Sequence, residues 1–167
     1  MNSQEIQRDK AQALLNDARA SIAQDDLINA VVKLTQCLMA DDSLADAHLT
    51  RASLLLTMGD ADGAADDAMW LTEHTESNDT LKELKSRIAA AYKERGRTKY
   101  SMGDTVGAEQ EVRKALQMDP GCMEAVSGQY TAEGVEQKVR QTFGMASAHN
   151  TGAVSNNNCH DCRKSQK

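Results

Sequence analysis

The chain has 167 residues, 40% of them hydrophobic and 26% charged, with one proline, one tryptophan, one phenylalanine, three tyrosines and a net charge of −6. That length suits one domain, and so little proline and aromatic content disfavours a sandwich or barrel and leaves an all-helical core as the default. The charge is uneven: residues 1–78 hold 14 acids and 5 bases (−9), residues 79–120 hold 7 and 9 (+2), residues 121–145 hold 3 and 2 (−1), and the remainder holds 1 and 3 (+2). An acidic first half repels nucleic acid and the few aromatics offer little for base stacking, so a nucleic-acid partner is not expected.

From Ser3 to about Gln24, apolar residues at Ile6, Leu14, Leu15, Ala18 and Ile22 form a helical stripe that stops at Gln24-Asp25-Asp26. Its partner helix, Leu27 to Met39, places Leu27, Ala30, Val31, Leu34, Cys37 and Leu38 on one seam and ends at Asp41-Asp42-Ser43. Ser43 with Asp46 three residues on reads as a capping box for a helix ending near Met58, and the next runs from Asp62 to about His74. Thr80-Leu81-Lys82-Glu83 is a second capping-box signature, starting a helix through Leu81, Leu84, Ile88, Ala91 and Tyr92 toward Tyr100. A sixth helix closes at Val112, Ala115, Leu116 and Met118, where Asp119-Pro120 ends it because proline disfavours helix at the residue before it. Residues 123–145 are expected to form a capping helix, and 146–167, small, polar and aperiodic, a disordered tail.

The helices recur. Ala52–Gly59–Asp60–Ala64–Ala68 returns as Gly96–Gly103–Asp104–Ala108–Val112, each a small residue, then Gly, then Asp as a helix cap, then a small or apolar residue where two helices meet. A fainter copy has Ala18, Ala30, Leu34 and Cys37. Ala18 and Ala52 are 34 positions apart, the period of a helix-pair repeat, whereas Ala52 and Gly96 are 44 apart, that period plus ten. The repeats fall near 11–44, 45–78 and 89–122. The extra ten residues lengthen the helix starting near 80 by about 15 Å, so that it projects past the stack or covers its neighbour.

His48-Leu49-Thr50-Arg51-Ala52 through Met58-Gly59, and Tyr92-Lys93-Glu94-Arg95-Gly96 through Ala115-Leu116-Gln117-Met118-Asp119-Pro120, resemble the second and third repeats of co-chaperone tetratricopeptide (TPR) domains. The resemblance spans roughly 11–122. It implies an all-α, right-handed TPR solenoid of about three helix pairs plus the C-terminal capping helix, occupying 3–145. It also implies a non-catalytic adaptor, chaperone-associated in that family, that holds a partner polypeptide in the concave groove of its leading helices. The family's carboxylate clamp does not carry over: its places are held by Leu15 and Arg19, by Thr50, and by Ala90 and Glu94, and Glu94 would repel a terminal carboxylate. Binding of acidic chaperone tails through a clamp is therefore not expected.

Helical spacing of three and four assigns the groove surface to Asn16 and Arg19, to Leu49, Ser53 and Leu56, and to Lys93, Arg97 and Tyr100. Arg19, Lys93 and Arg97 suit an acidic or phosphorylated extended peptide, with Leu56 and Tyr100 supplying apolar contact. Against this stands the reading of these charges as ordinary solvated surface. Trp70 with Leu81, Leu84 and Ile88 is a second candidate interface, weighed against core packing on the inserted turns. The same scaffold also suits a structural subunit docking through its convex or terminal surfaces.

Cys159-His160-Asp161-Cys162 offers two thiolates at a spacing that can grip one tetrahedral ion, but a closed zinc site needs four ligands, so Cys159 and Cys162 are only a weak metal pair and no cofactor is assigned. The cysteines, Cys37 and Cys122 included, are too few for a disulfide scaffold. No nucleotide-binding, hydrolase or metalloprotease signature is present, and the adjacent carboxylates Asp66 and Asp67 point about 100° apart, so no enzyme activity is expected. No stretch approaches the roughly 20 apolar residues of a membrane span, and Met1–Glu5 is too polar for a secretion signal. A cytoplasmic chain without membrane partners, monomeric on its own, is the expectation.

Overall fold

The computed structural model describes residues 2–122, which form six α-helices: α1 (Ser3–Ala23), α2 (Leu27–Ala40), α3 (Ala45–Thr57), α4 (Ala61–His74), α5 (Asp79–Ser101) and α6 (Thr105–Met118). Consecutive helices pair as α1 with α2, α3 with α4 and α5 with α6; α2 also packs on α3, and α4 on α5. The fold is of the all-α, TPR type, a row of helix pairs. The expected capping helix at 123–145 and tail at 146–167 lie outside the described residues.

The small residues of the repeat sit where the helices meet. Ala18, Ala30, Ala52, Ala64, Ala68 and Ala108 are fully buried, as are Leu34, Cys37 and Val112. A methyl group at such a crossing lets the axes approach closely, and larger neighbours fill the flanks. Two clusters result. Ala11, Leu15, Ala18, Leu34, Cys37 and Ala47 anchor one across α1 to α3. The other joins Ala52, Ala64, Leu71, Leu84, Ile88, Tyr92, Val112 and Leu116 across α3 to α6.

Within each pair the turn is the same. Asp25, Gly59 and Gly103 occupy the left-handed region at φ 60°, 87° and 86°. The next residue's N–H donates to a carbonyl five positions back: Asp26 to Ser21, Asp60 to Leu55 and Asp104 to Lys99, at 3.0, 2.8 and 2.9 Å. This Schellman closure satisfies carbonyls that the helix end leaves open. The same aspartates then cap the following helix, accepting from the N–H groups of Asn29, Gly63 and Gly107.

Two expected caps differ from those observed. The Ser43 hydroxyl donates to Asp41 Oδ1 at 2.6 Å, so the N-cap of α3 is Leu44, with no side-chain cap bond. Asn78, not Thr80, caps α5, its side chain accepting from the N–H of Leu81 at 2.8 Å. The lengthened helix does appear, with 23 residues against 13 in α3. Its added turns cover the neighbouring pair, with Leu81 and Leu84 buried in the second cluster.

Candidate polypeptide-binding surface

The leading helices α1, α3 and α5 carry the eight residues expected to meet a ligand. Asn16, Arg19 and Arg97 are exposed, and Leu49, Ser53, Leu56, Lys93 and Tyr100 are half-buried. Leu49 and Leu56 on α3 and Tyr100 on α5 are partly buried and each packs against the second core cluster. Ser53 lies between the two leucines, its hydroxyl returned to the carbonyl of Leu49 at 2.9 Å. Asn16 and Arg19 stand apart on α1, which joins the other cluster, and Arg19 reaches α3 only through Asp46 at 3.4 Å.

The basic groups of this surface have local partners. Besides the Arg19 contact, Lys93 Nζ donates to the carbonyl of Cys122 at 3.1 Å, and Arg97 Nε lies 3.6 Å from Glu94. Both members of the Arg19–Asp46 and Arg97–Glu94 pairs are more than half exposed, where an ion pair contributes about 0–1 kcal/mol and exchanges partners readily. At the clamp positions, Leu15 is buried, the Thr50 hydroxyl donates to the carbonyl of Asp46 at 2.7 Å, and Ala90 and Glu94 are exposed.

The second candidate interface requires correction. Leu81, Leu84 and Ile88 are 4%, 3% and 0% exposed, core side chains that offer no free patch. Trp70 is sandwiched between the rings of His48 and His74, with centroids 3.9 and 4.3 Å away and planes 15° and 8° from parallel. Cys159 and Cys162 lie outside the described residues.

Buried charges inside the helix pairs escaped the sequence reading. Asp67, 2% exposed, receives Arg51 Nε at 2.8 Å and Nη2 at 2.7 Å, a two-pronged grip that joins α3 to α4. His48 Nδ1 lies 2.7 Å from Asp67 Oδ1, and His48 Nε2 lies 3.0 Å from the carbonyl of Asp42. The Asp67 contact is the leading reason that the Arg51 guanidinium is pushed above its ordinary range. At the corresponding places of the next pair, Glu111 Oε1 takes Arg95 Nη2 at 3.2 Å and Lys99 Nζ at 2.7 Å. Glu111 Oε2 is buried with no hydrogen-bond partner.

Asp62 completes this second cluster by accepting from Lys114 Nζ at 2.6 Å, Arg95 Nη1 at 2.7 Å and the Tyr92 hydroxyl at 3.1 Å. Lys114 and then Arg95 hold its carboxyl well below the usual carboxylate range, while burial, followed by the Asp62 charge, pushes the Tyr92 hydroxyl far up. Each of these carboxylates is engaged by cations of its own fold, so the clusters tie helices together. Aligning the two strong repeats at their 44-residue offset superposes Arg51 on Arg95 and Asp67 on Glu111; that was the signal available in the sequence.

Helix pairs with identical turns, a small-residue seam and a ladder of buried ion pairs define the class as a TPR-type repeat domain. No protein-family model matches the sequence, and no curated protein matches it. Among solved structures, the first TPR domain of Spaghetti (RPAP3) bound to an HSP90 peptide is 18% identical, with 81% of this chain and 94% of that chain covered and a TM-score of 0.43. The first TPR domain of human RPAP3 gives 17%, 82%, 94% and 0.44. The N-terminal domain of stress-induced protein-1 from C. elegans gives 16%, 81%, 96% and 0.39. Among the described residues, no helix is long and apolar enough to cross a membrane.

Proposed function

We propose that the chain is a non-catalytic adaptor that holds an extended segment of a partner protein along the leading-helix face. The observation that supports this reading is that Leu49, Leu56 and Tyr100, carried on the leading helices α3 and α5, are only partly buried where they pack against the core. An extended ligand would lay alternate apolar side chains on these residues. Its acidic groups would draw Arg19 away from Asp46, an exchange that costs little because both members of the pair are exposed. Arg19, Lys93 and Arg97 on the leading helices suit a mildly acidic ligand. A free C-terminal carboxylate is not part of the proposal, because Thr50, Ala90 and Glu94 supply no cation for it. The chaperone association of the resembling domains accordingly enters only as a partner that does not depend on a clamp.

The test is affinity capture from extract of the source cells, read by mass spectrometry, comparing the intact chain with an Arg19→Glu, Arg97→Glu double variant. Both positions are exposed, so helicity and melting temperature should hold while a specific set of partners drops out. An unchanged partner set would remove the leading-helix face from consideration.

A further inference from the structure

A buried histidine stands at the junction of the first and second helix pairs with both ring nitrogens engaged. His48 is 6% exposed; its Nδ1 lies 2.7 Å from Asp67 Oδ1 on α4, and its Nε2 lies 3.0 Å from the carbonyl of Asp42, in the corner that joins α2 to α3. A peptide carbonyl only accepts. The Asp67 carboxyl is ionised, because Arg51 donates to both of its oxygens, from Nε to Oδ2 at 2.8 Å and from Nη2 to Oδ1 at 2.7 Å, and an ionised carboxylate also only accepts. A neutral imidazole has one N–H and can meet one of these two acceptors. Meeting both takes an N–H on each nitrogen, which is the imidazolium.

The surroundings suit that charge. Trp70 lies flat against the ring, with centroids 3.9 Å apart and planes 15° from parallel, and gives the cation an aromatic face. The other charges at the junction are Arg51 from the next turn of α3 and Asp66 from α4, whose charge acts on Arg51. His48 reaches only Oδ1 of Asp67, so Oδ2 depends on Arg51 alone. His74 stacks on Trp70 as well, but it is exposed and only its Nδ1 has an acceptor, the carbonyl of Trp70 at 2.8 Å. Forty-four positions after His48 stands Tyr92, whose hydroxyl turns to the Ala61 carbonyl at 3.2 Å and to Asp62 Oδ1 at 3.1 Å. Burial, followed by the Asp62 charge, makes that hydroxyl keep its proton where a histidine titrates, so the next junction has a tie that pH does not move.

We infer that His48 is a proton-operated latch, tying the Asp42 corner to α4 while both of its ring nitrogens are protonated and releasing the corner when one proton leaves. The bond given up is the one to Asp42, because a neutral imidazole keeps its single N–H toward the carboxylate, the stronger acceptor. The proton goes from Nε2 to water at the exposed corner, and the Nε2 lone pair then faces the carbonyl oxygen and repels it. Rising pH thereby loosens the first helix pair from the second. This device is independent of the leading-helix reading, and either can fail without the other.

The experiment follows the imidazole nitrogens and backbone amides of the full chain by NMR from about pH 5 to about pH 9, together with the emission of Trp70, the only tryptophan of the chain. At the acid end both nitrogens of His48 should carry an N–H. On raising the pH, Nε2 should lose its proton in one step, the amide signals of Asp42 and Ser43 should shift with the same midpoint, and Trp70 emission, quenched by the stacked imidazolium, should rise with them. The shift at the corner should survive His74→Gln and vanish in His48→Gln. The wild-type spectra decide the matter even where the His48 variant does not fold. A single N–H on His48 throughout the range would overturn the inference. So would corner amides that stay fixed while His48 loses its proton, or a corner shift abolished by His74→Gln, which would assign the switch to the exposed ring.

Discussion

Replacing Arg51 by methionine should be among the most damaging single changes in the fold. Asp67 is 2% exposed, and two of the three contacts on its carboxylate come from that guanidinium, leaving only His48 when it is removed. Breaking a buried pair from one side strands an uncompensated charge and costs about 3–5 kcal/mol. The Arg51 side chain is 22% exposed, so water can partly reach the vacated site and the lower end, about 3 kcal/mol, is expected. For a domain of this size that is a fall of roughly 10–15 °C in Tm. Adding Asp67→Leu to the methionine variant should recover much of the loss, because no lone charge then remains. Urea unfolding of the wild type, both single variants and the double gives the coupling directly. If Arg51→Met costs less than about 1 kcal/mol, or if the two losses simply add, the buried pair is no stronger than the exposed Arg19–Asp46 contact and the reasoning fails.

The turns and the Asp62 cluster yield two further tests. Gly59→Ala should destabilise by about 1 kcal/mol, since its φ of 87° penalises a side chain, whereas Asp25→Gly at the equivalent turn should be neutral or mildly stabilising; equal losses in thermal denaturation would contradict the shared geometry. Asp62 has its folded-state ionisation depressed, so its contribution is present above about pH 4, the unfolded carboxylate range, and is lost as the pH falls through the folded value. Asp62→Asn should therefore flatten the decline of stability below about pH 4, measured by urea midpoints at several pH values, and an unchanged profile would show that Lys114 and Arg95 do not hold it.

The seam residues were legible because their signal is local and repeated: Ala52 and Ala64 against Gly96 and Ala108 stand out for size, and size is what a close crossing selects. The cap of α3 was not, because Ser43 had two possible carboxylate neighbours and the nearer, Asp41, captured its hydroxyl in a local turn. The ion pairs were hidden for another reason. Asp67 and Glu111 are charges within helices whose burial no local pattern marks, and only the tertiary placement of Arg51 and Arg95 gives them partners. Leu81, Leu84 and Ile88 had the right periodicity for either a patch or a core, and pattern alone does not say which surface is already covered. The leading-helix positions followed from the period, but their electrostatics did not, since Asp46, Glu94 and the Cys122 carbonyl answer the cations from other turns of the chain.

Because the ten added residues enter between α4 and α5, the three tight turns stay in step at one rim while the opposite rim is stepped. Beneath that step Thr72, Leu81, Lys82, Ser86, Met118 and Pro120 line a cleft where α5 outruns α6. The two rims thus differ in how they tolerate rebuilding. The level rim fixes each helix pair through a backbone closure with no slack, so graft points there would distort the repeat. The stepped rim, at the exposed Glu76 and Ser77, has already absorbed one lengthening, and a reporter spliced at that corner would ride outside the stack with the helix spacing intact.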